Sequence, residues 1–359
     1  IKLAALRPYL STPIELTVVD TGQHHDESLA GQIYRDLRLG APDIRLGAQT
    51  GLRGEDRLRA TVRELDRALE KREADLVLVF GDTDSTLAGA LAAQARGIDV
   101  AHVEAGLRSG DLEMPEERNR IAVDRIASLR LCTSGAAASA LHREGLGDGN
   151  VVVGDLMADL VARSAPAVRD LAGLDQASHR IGRQLQSGGF LYATLHRADV
   201  REPSRLRKAL ALLESAADAT GLAVLFAAHP GTSAAILEHE IDVPDGIDVI
   251  PPVGYFDSLA LAAHAAAVMT DSGGLQREAV WLNTPTLILR ETTEWPELLH
   301  PAGSSLLVGV APSLVVDAFK LLGVVSGATA VAARASHPLP AGGAAEAIRA
   351  ALIARHLAR

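Results

Sequence analysis

The chain of 359 residues has a single cysteine, Cys132, and few aromatic residues, at 3% of the positions. One cysteine excludes an intrachain disulfide and a cysteine-based zinc site. Because Cys132 lies in the apolar run LRLCTS, we expect an inert thiol buried in the core. No apolar run reaches the roughly 18 residues that a membrane-spanning helix needs, and no signal peptide is recognisable at the N-terminus. The sequence therefore predicts a cytoplasmic protein that does not contact a membrane.

Positive charge is also scarce, since 35 Lys and Arg face 45 Asp and Glu and the formal net charge is −10. A protein that binds nucleic acid non-specifically needs a basic surface, so a nucleic-acid partner is not expected. Small anionic ligands are compatible with this charge, because local Arg side chains and helix N-termini can bind phosphate. Turns of the GxGxxG or GKS type are missing, which disfavours a nicotinamide or P-loop site.

Short apolar runs alternate with helical patterns along the chain. The first series is IELTVVD, ADLVLVFGD, IDVAHVE, LRLCTS and NVVVGD; the second is FLYATLH, LAVLFAAH, IDVIPP, AAVMTD, TPTLIL and SSLLVG. Continuous apolar strands between helices are typical of a parallel sheet that is buried on both faces. Two such series predict two doubly wound α/β domains with a cleft between them. The segment 163–180 lacks a strand and is interpreted as the linker.

Polar residues follow the predicted strands, where ligands bind in open parallel sheets. They are Asp20–His24, Asp82, His102, Glu104, His196, Arg197, His229 and Asp271–Gly274. Asp82 and Glu104 end neighbouring strands, and Pro115 marks a helix start that adds the carboxylate of Glu116. Crowded carboxylates take different pKa values, so one can serve as acid and another as base.

Purely structural roles for these residues stay open. Asp82 alone also fits a helix cap. A solvated, salt-bridged helix face fits Glu113, Arg118 and Asp124, but it does not fit Glu104, which ends a hydrophobic strand.

The stretch MTDSGGLQREA places Ser272, Gly273 and Gly274 between a predicted strand and a predicted helix. Backbone N–H groups at such a helix start can hold a phosphate, although an ordinary turn with a Ser or Asp cap fits equally well. Glu278, one turn into the helix, is a candidate acceptor for ribose hydroxyls. His196 and its neighbour Arg197 suit a diphosphate, with a core histidine as the alternative. TGQHHDE shows no metal-ligand spacing, so no metal site is predicted.

The motifs together resemble those of one family. TGQHHDESL, FGDTDST, HVEAGLRSGD, MPEERNR, GDLMAD, TLHRAD, GYFDSLALAAHA, TDSGGLQREA and LRETTEWPEL occur in the order seen in the non-hydrolysing UDP-N-acetylglucosamine 2-epimerases. The resemblance runs from residue 1 to about residue 310. It implies two Rossmann-like domains in a glycosyltransferase-B arrangement, a UDP-sugar in the cleft, a homodimer and no cofactor. The implied domains are 1–163, the UDP-binding domain 164–338, and a C-terminal helix in 339–359 that packs back across them.

The resemblance also implies a reaction and the residues for it. Such enzymes expel UDP from C1 and remove the C2 proton to give a glycal, after which UDP returns and the proton is added on the opposite face. Asp82, Glu104 and Glu116 resemble the acid–base carboxylates, and His196 resembles the histidine that assists UDP departure. The implied substrate contacts are Lys2, Gln23, His24, Arg120, Arg197, His229, Ser272, Gly273, Gly274, Glu278 and Arg290.

Two features depart from the family pattern. Family members usually begin with a strand and a GTRPE loop, whereas this chain begins at IKLAALRPYL, so we expect this sequence to lack the family's first strand. TGQHHD resembles the TGQHYD form of a subgroup rather than the QHRQ form linked to allosteric activation by UDP-N-acetylglucosamine, and Asp26 stands where that activator site has a Gln. TGQHHD, MPEERNR and TEWPEL favour the branch that acts on sugars such as UDP-2,3-diacetamido-glucuronic acid, with UDP-N-acetylglucosamine as the other candidate.

Three other functions remain compatible with the same architecture. A glycosyltransferase would need an acceptor pocket but not three clustered carboxylates. A hydrolysing epimerase would release the free sugar, and a non-catalytic nucleotide-sugar sensor would have no use for a proton-transfer set.

Overall fold

The fold is taken from a computed structural model, which describes residues 1–22, 27–47, 51–195, 202–299, 305–309, 311–324 and 342–357. The chain forms two compact units, one of Ile1–Asp159 together with Gly342–Arg359 and the other of Leu160–Ala341. Each contains a parallel sheet with helices, as the alternating apolar runs predict. None of the helices in the described ranges is long and apolar enough to cross a membrane.

The strands of the first unit are β1 (Val19–Asp20), β2 (Ile44–Arg45), β3 (Leu76–Phe80), β4 (Asp99–Ala105), β5 (Leu129–Cys132) and β6 (Asn150–Val152). The last four pair in parallel in the order β3-β4-β5-β6, whereas β1 and β2 form a separate parallel pair. The helices are α1 (Lys2–Leu6), α2 (Glu27–Asp36), α3 (Gly54–Glu70), α4 (Asp84–Ala95), α5 (Pro115–Ile126) and α6 (Gly135–Arg143), and α7 (Leu156–Val168) begins in this unit and continues into the second. β2 is a strand that the apolar runs did not predict.

The strands of the second unit are β7 (Phe190–Leu195), β8 (Ala223–Ala228), β9 (Ile247–Ile250), β10 (Ala267–Thr270), β11 (Thr286–Ile288) and β12 (Ser305–Leu307). They form one parallel sheet in the order β12-β11-β10-β7-β8-β9. The helices are α8 (Leu171–Ile181), α9 (Pro203–Thr220), α10 (Pro230–Glu238), α11 (Tyr255–His264), α12 (Gly273–Trp281) and α13 (Pro312–Leu321). The strand order changes direction between β7 and β10, which is where doubly wound sheets bind their ligands.

Small residues allow the first unit to pack with few aromatic side chains. Helix α4 lies against α3, α5 and strand β3, and Ala88, Ala90, Ala92 and Ala93 on it are fully buried. A side chain at Gly89 would place its Cβ 2.9 Å from Val79 Cγ1. The Ala-rich sequence of α4 therefore sets a close helix–sheet distance rather than a loose one.

The single cysteine ends strand β5 and is fully buried. Burial, with a smaller contribution from the Asp124 charge, raises the pKa of the Cys132 thiol to about 12. The prediction that this thiol is buried in the core is confirmed, and its low reactivity stays a prediction.

The segment 163–180, interpreted as a linker, contains no strand. It consists of the end of α7 and most of α8, and Asp170 caps α8 by accepting a 3.2 Å hydrogen bond from the Ala172 N–H. The two units separate between Asp159 and Leu160, inside α7.

The C-terminal helix α14 (Ala344–Leu357) belongs to the first unit. The Asp159 carboxylate accepts hydrogen bonds from the backbone N–H groups of Gly343, Ala344 and Ala345, at 3.0, 3.3 and 2.9 Å. These N–H groups have no partner within the helix, so an anionic cap on them stabilises it. At the other end of α14, Arg355 pairs with Asp99 at 3.0 Å.

Candidate active site

Glu104 has an unusual backbone at the end of β4. The pairing register with β5 shifts between Val103 and Ala105, and Glu104 has a φ of +69°. A non-glycine residue in this left-handed region costs about 1–3 kcal/mol, and such residues cluster at functional sites. Its side chain is buried, and one carboxylate oxygen lies 2.5 Å from Lys2 Nζ. The bulge directs this carboxylate toward the ammonium group of Lys2, the first residue of α1.

Gly81 makes room for this ion pair. It follows β3 with a φ of +69°, and its N–H donates to the Val103 carbonyl at 3.0 Å. A Cβ at this position would lie 2.8 Å from Lys2 Nζ and 3.5 Å from Glu104 Oε2. Glycine suits this position because the backbone is left-handed and because Lys2 and Glu104 occupy the space that a side chain would take.

Asp82 follows Gly81 and pairs with Arg120 of α5. The cap of α4 is Thr83, whose hydroxyl accepts from the Thr86 N–H and whose own N–H donates to the Thr86 hydroxyl. The helix-cap interpretation of Asp82 is thus wrong. Its carboxylate points instead to a guanidinium group that is almost completely buried.

Arg120 lies between two carboxylates, since it donates to Asp82 and, at 2.5 Å, to Glu117 Oε2. Glu117 also accepts from the N–H groups of Ser109 and Gly110 at 3.0 Å each. Arg120 stays a predicted substrate contact, and in the structure it pairs with Asp82 and Glu117. Glu117 was not singled out from the sequence, although its spacing of three residues from Arg120 places both on one helix face. Its neighbour Glu116 lies exposed in the first turn of α5.

A buried histidine–aspartate pair lies next to these groups. His102 Nδ1 is 2.7 Å from Asp124 Oδ1, and both side chains are fully buried. Burial raises the pKa of the Asp124 carboxyl, but the hydrogen bond and charge of His102, together with Arg108, outweigh this and hold the pKa below its usual range. The interpretation of Asp124 as part of a solvated helix face is therefore wrong.

In the second unit, the start of α12 lies at the point where the strand order reverses. Ser272 caps the helix, since its hydroxyl accepts from the Leu275 N–H at 3.3 Å, and its own N–H donates to Thr270 Oγ1 at 3.0 Å. Ser272, Gly273 and Gly274 are partly exposed. The capped turn predicted as one alternative is thus present, and a cap of this kind leaves further N–H groups of the first turn for an anion.

Arg290 and Glu278 lie beside this helix start. Arg290 pairs with Glu294 at 2.9 Å, and a Cβ on Gly273 would lie 3.0 Å from the same Glu294 carboxylate. Glu278 is buried. Burial, followed by the charge of Glu278, raises the pKa of the Tyr255 hydroxyl well above its ordinary value. Glu294 thus links two of the predicted contacts, Gly273 and Arg290, and Glu278 follows in the second turn of the same helix.

His229 follows β8 and caps α10, because its Nδ1 accepts from the Gly231 N–H at 3.1 Å. A ring nitrogen that accepts cannot carry a proton, so the proton of a neutral ring is on Nε2. The predicted residues Gln23, His24, His196 and Arg197 lie outside the described residues. Among the residues that are described, no group of three or more His, Cys, Asp or Glu is placed to hold a metal ion.

The family model of UDP-N-acetylglucosamine 2-epimerases matches residues 10–353. The chain belongs to this family. It is 36% identical over 304 residues to the UDP-2,3-diacetamido-2,3-dideoxy-D-glucuronate 2-epimerase of Pseudomonas aeruginosa, covering 84% of this chain and 82% of that one. It is 32% identical to the UDP-N-acetylglucosamine 2-epimerase of Methanocaldococcus jannaschii, over 90% and 88% of the two chains.

Solved structures of the epimerase family agree with the fold. The M. jannaschii enzyme in complex with UDP-GlcNAc and UDP superposes with a TM-score of 0.85 at 30% identity, over 99% of this chain and 96% of that one. The Neisseria meningitidis enzyme bound to UDP-GlcNAc gives 0.85 at 25% identity, over 98% and 96%. The predicted family, its isomerase class and the glycosyltransferase-B fold class with Rossmann-like sheets are confirmed.

Proposed function

We propose that this epimerase inverts C2 of a UDP-2-acetamido sugar by eliminating UDP to a glycal and adding it back. The observation that carries the proposal is the pair of carboxylates after neighbouring strands, Glu104 on its left-handed bulge and Asp82 on Arg120. Each is held by a cation, and each lies at the carboxyl end of a strand, which is the ligand-binding edge of a parallel sheet. Packing of the core does not by itself explain a strained backbone at Glu104 next to a carboxylate, that of Asp82, paired with a buried arginine.

The proposed reaction needs no electron acceptor. The C2 proton has no adjacent carbonyl, so its direct removal is too costly; breaking the C1–O bond sends the bonding electrons out with UDP. A carboxylate takes the C2 proton and its electrons form the C1–C2 double bond. In the reverse step UDP re-forms the C1–O bond while C2 takes a proton on its other face, which needs a second acid–base group. Asp82, Glu104 and Glu116 are proposed for these roles.

The second unit is proposed to bind the UDP part. The partly exposed start of α12 offers Ser272, Gly273 and Gly274 to the diphosphate, with Arg290 as the counter-ion. Glu278 is proposed for the ribose, and His229 can donate from Nε2. Gln23, His24, Arg197 and the leaving-group histidine His196 complete the proposed set, with Lys2 next to Glu104. No cofactor takes part in the proposed steps, and a cytoplasmic homodimer is the proposed working form.

Two sugars are candidates for the substrate. The P. aeruginosa relative, at 36% identity, is named for a 2,3-diacetamido-glucuronate, and the TGQHHD, MPEERNR and TEWPEL spellings favour the same branch. The M. jannaschii structure, at a TM-score of 0.85, was solved with UDP-GlcNAc, which supports the second candidate.

Proton NMR in deuterated water tests the proposal. Each UDP-sugar is offered separately, and deuterium at C2 of a sugar still linked to UDP is the expected result. UDP binding without exchange in either sugar would instead favour a glycosyltransferase or a sensor, and release of free sugar would favour hydrolysis.

Glu104→Gln tests the residue assignment. This variant should bind UDP normally and lose at least about 10²-fold in turnover, since it cannot exchange a proton. Glu113→Gln, which changes an exposed carboxylate in the same segment, is the matched control and should turn over normally. Wild-type turnover in Glu104→Gln would refute the role of Glu104.

A further inference from the structure

The His102 ring has an oxygen acceptor at each nitrogen. Nδ1 lies 2.7 Å from a carboxylate oxygen of Asp124, and Nε2 lies 2.7 Å from the carbonyl oxygen of Gly81. A neutral imidazole has one N–H and can satisfy only one of two acceptors. Leaving a buried carbonyl or carboxylate against a bare ring nitrogen costs about 1–3 kcal/mol. The geometry therefore favours a proton on both nitrogens.

The charges around the ring allow this cation. The other carboxylate oxygen of Asp124 accepts from Arg108 Nη1 at 2.8 Å, and Arg108 also pairs with Glu144 at 2.8 Å. With a charged His102, this chain of four groups holds two positive and two negative charges. Arg130, on the neighbouring strand, donates to the Asp124 and Ala127 carbonyls, so its charge faces the negative end of α5.

The His102–Asp124 pair connects the three segments that carry the predicted carboxylates. The ring holds the Gly81 carbonyl, and the next residue is Asp82. Asp124 accepts from the Gly106 N–H at 3.1 Å, two residues after Glu104. Asp124 itself lies on α5, and the first turn of this helix contains Glu116.

We infer that His102 is a positioning residue, which as an imidazolium paired with Asp124 fixes the turn and the bulge that present Asp82 and Glu104. It touches none of the proposed reacting atoms and acts through the Gly81 carbonyl. The inference concerns the same site as the proposed epimerisation, and its kinetic part rests on that proposal. Displacements of about 1 Å at reacting groups can lower rates by about 10²-fold, so a ring that fixes two of them is expected to matter for kcat.

The chain offers a matched control in His264. It is similarly buried, but its ring contacts the Ser187 hydroxyl at 3.0 Å and the Asp170 carbonyl at 3.2 Å. A hydroxyl can donate as well as accept, so a neutral ring with a single proton satisfies both partners. It ends α11 ahead of β10, at the edge of the sheet away from Ser272 and the start of α12.

The protonation state is tested on the wild-type chain, independently of turnover. Ring-¹⁵N-histidine is incorporated and spectra are recorded at pH 8.5, where an ordinary imidazole is neutral. The His102 signals are identified by their loss in His102→Gln. We expect a directly bonded proton on both His102 nitrogens and on one nitrogen of His264. A single ring proton on His102 would overturn the inference.

The kinetic test compares two amides. Gln places its N–H₂ near the Nε2 position and can keep the bond to the Gly81 carbonyl, whereas Asn reaches only the Nδ1 position and loses it. His102→Asn should lose about 10- to 100-fold in kcat with UDP affinity unchanged, and His102→Gln should retain more. His264→Asn should keep the wild-type kcat. Equal kcat in wild type and His102→Asn, or a better Asn than Gln, would refute the positioning role.

An unfolded variant, or an incorrect assignment of the epimerase reaction, can be told apart from an incorrect role of His102. Circular dichroism establishes whether each variant is folded. If His102→Asn does not fold, Asp124→Asn is tested in its place. Asp124→Asn should leave one proton on the His102 ring and lower kcat, whereas two protons there would contradict the pairing. If the wild-type chain exchanges no C2 proton with either sugar, the proposed function fails while the ring protonation still decides the structural claim.

Discussion

Gly81→Ala separates the packing role of this glycine from its role beside Lys2 and Glu104. The new Cβ would lie 2.8 Å from Lys2 Nζ, a distance that heavy atoms do not tolerate. Lys2 Nζ is the end of a flexible side chain, so it can swing aside at little cost. The expected structural result is an intact fold in which Lys2 no longer contacts Glu104.

Gly81→Ala is expected to lower both the stability and the kcat. An alanine at a φ of +69° is less stable by about 1–2 kcal/mol than in an ordinary conformation. For units of this size that lowers the Tm by roughly 2–8 °C. The lost contact with Lys2 leaves the buried Glu104 carboxylate without that cation, which changes the position of the carboxylate and the charge around it. We expect kcat to fall by about 10- to 100-fold.

Gly97→Ala is the control because it has the same backbone strain without the neighbours. Gly97 has a φ of +68°, and nothing lies within 4 Å of a Cβ built there. Both variants are compared by thermal unfolding and by the rate of deuterium uptake at C2. The Tm values should fall by similar amounts, while only Gly81→Ala loses turnover.

A second comparison uses a background without Lys2. In Lys2→Ala, adding Gly81→Ala should cost stability but no further turnover, since the contact is already absent. Equal turnover of Gly81→Ala and Gly97→Ala would refute the reasoning, as would an additive loss in the double variant.

Three further predictions concern stability and reactivity. Since the pKa of Asp124 is lowered by folding, its pairing stabilises the fold above the unfolded value of about 3.9 and is lost as the pH falls through the lower folded value. Asp124→Asn should therefore cost about 3–5 kcal/mol at pH 7, with a Tm difference from wild type that narrows below about pH 4; a constant difference would contradict this. Cys132 should not react with a thiol reagent at pH 8 in the native protein, but should react after denaturation. Asp159→Ala should cost about 0.5–2 kcal/mol and increase hydrogen exchange at the start of α14, whereas unchanged exchange would refute the capping role.

The positions of Asp82, Glu104 and Ser272 at strand ends were predictable from the sequence. Each follows a continuous apolar run, and the carboxyl ends of parallel strands share one edge of a sheet. The pattern of runs also predicts two doubly wound units, because its period changes from strand to helix in a regular order. Strand ends and the alternation of strands with helices are thus predictable, because local periodicity determines them.

The conformation of Glu104 was not predictable in the same way. A bulge adds one residue to a strand without changing its apolar character, so HVEAG reads as a continuous strand. The small β2 was missed for a related reason, since its two residues carry too little apolar pattern to stand out from a loop. Both features depend on contacts with other segments, which a single run of sequence does not contain.

The error at Asp124 has a physical cause that bears on function. Glu117, Arg120 and Asp124 are spaced as one stripe on α5, and a charged stripe normally faces water. Here each is buried because its partners arrive from distant segments: Ser109 and Gly110 for Glu117, Asp82 for Arg120, and His102 for Asp124. Buried ion pairs add little to stability compared with apolar packing. A helix that buries three of them against the ends of β3 and β4 is better explained by the need to orient carboxylates than by the need to fold.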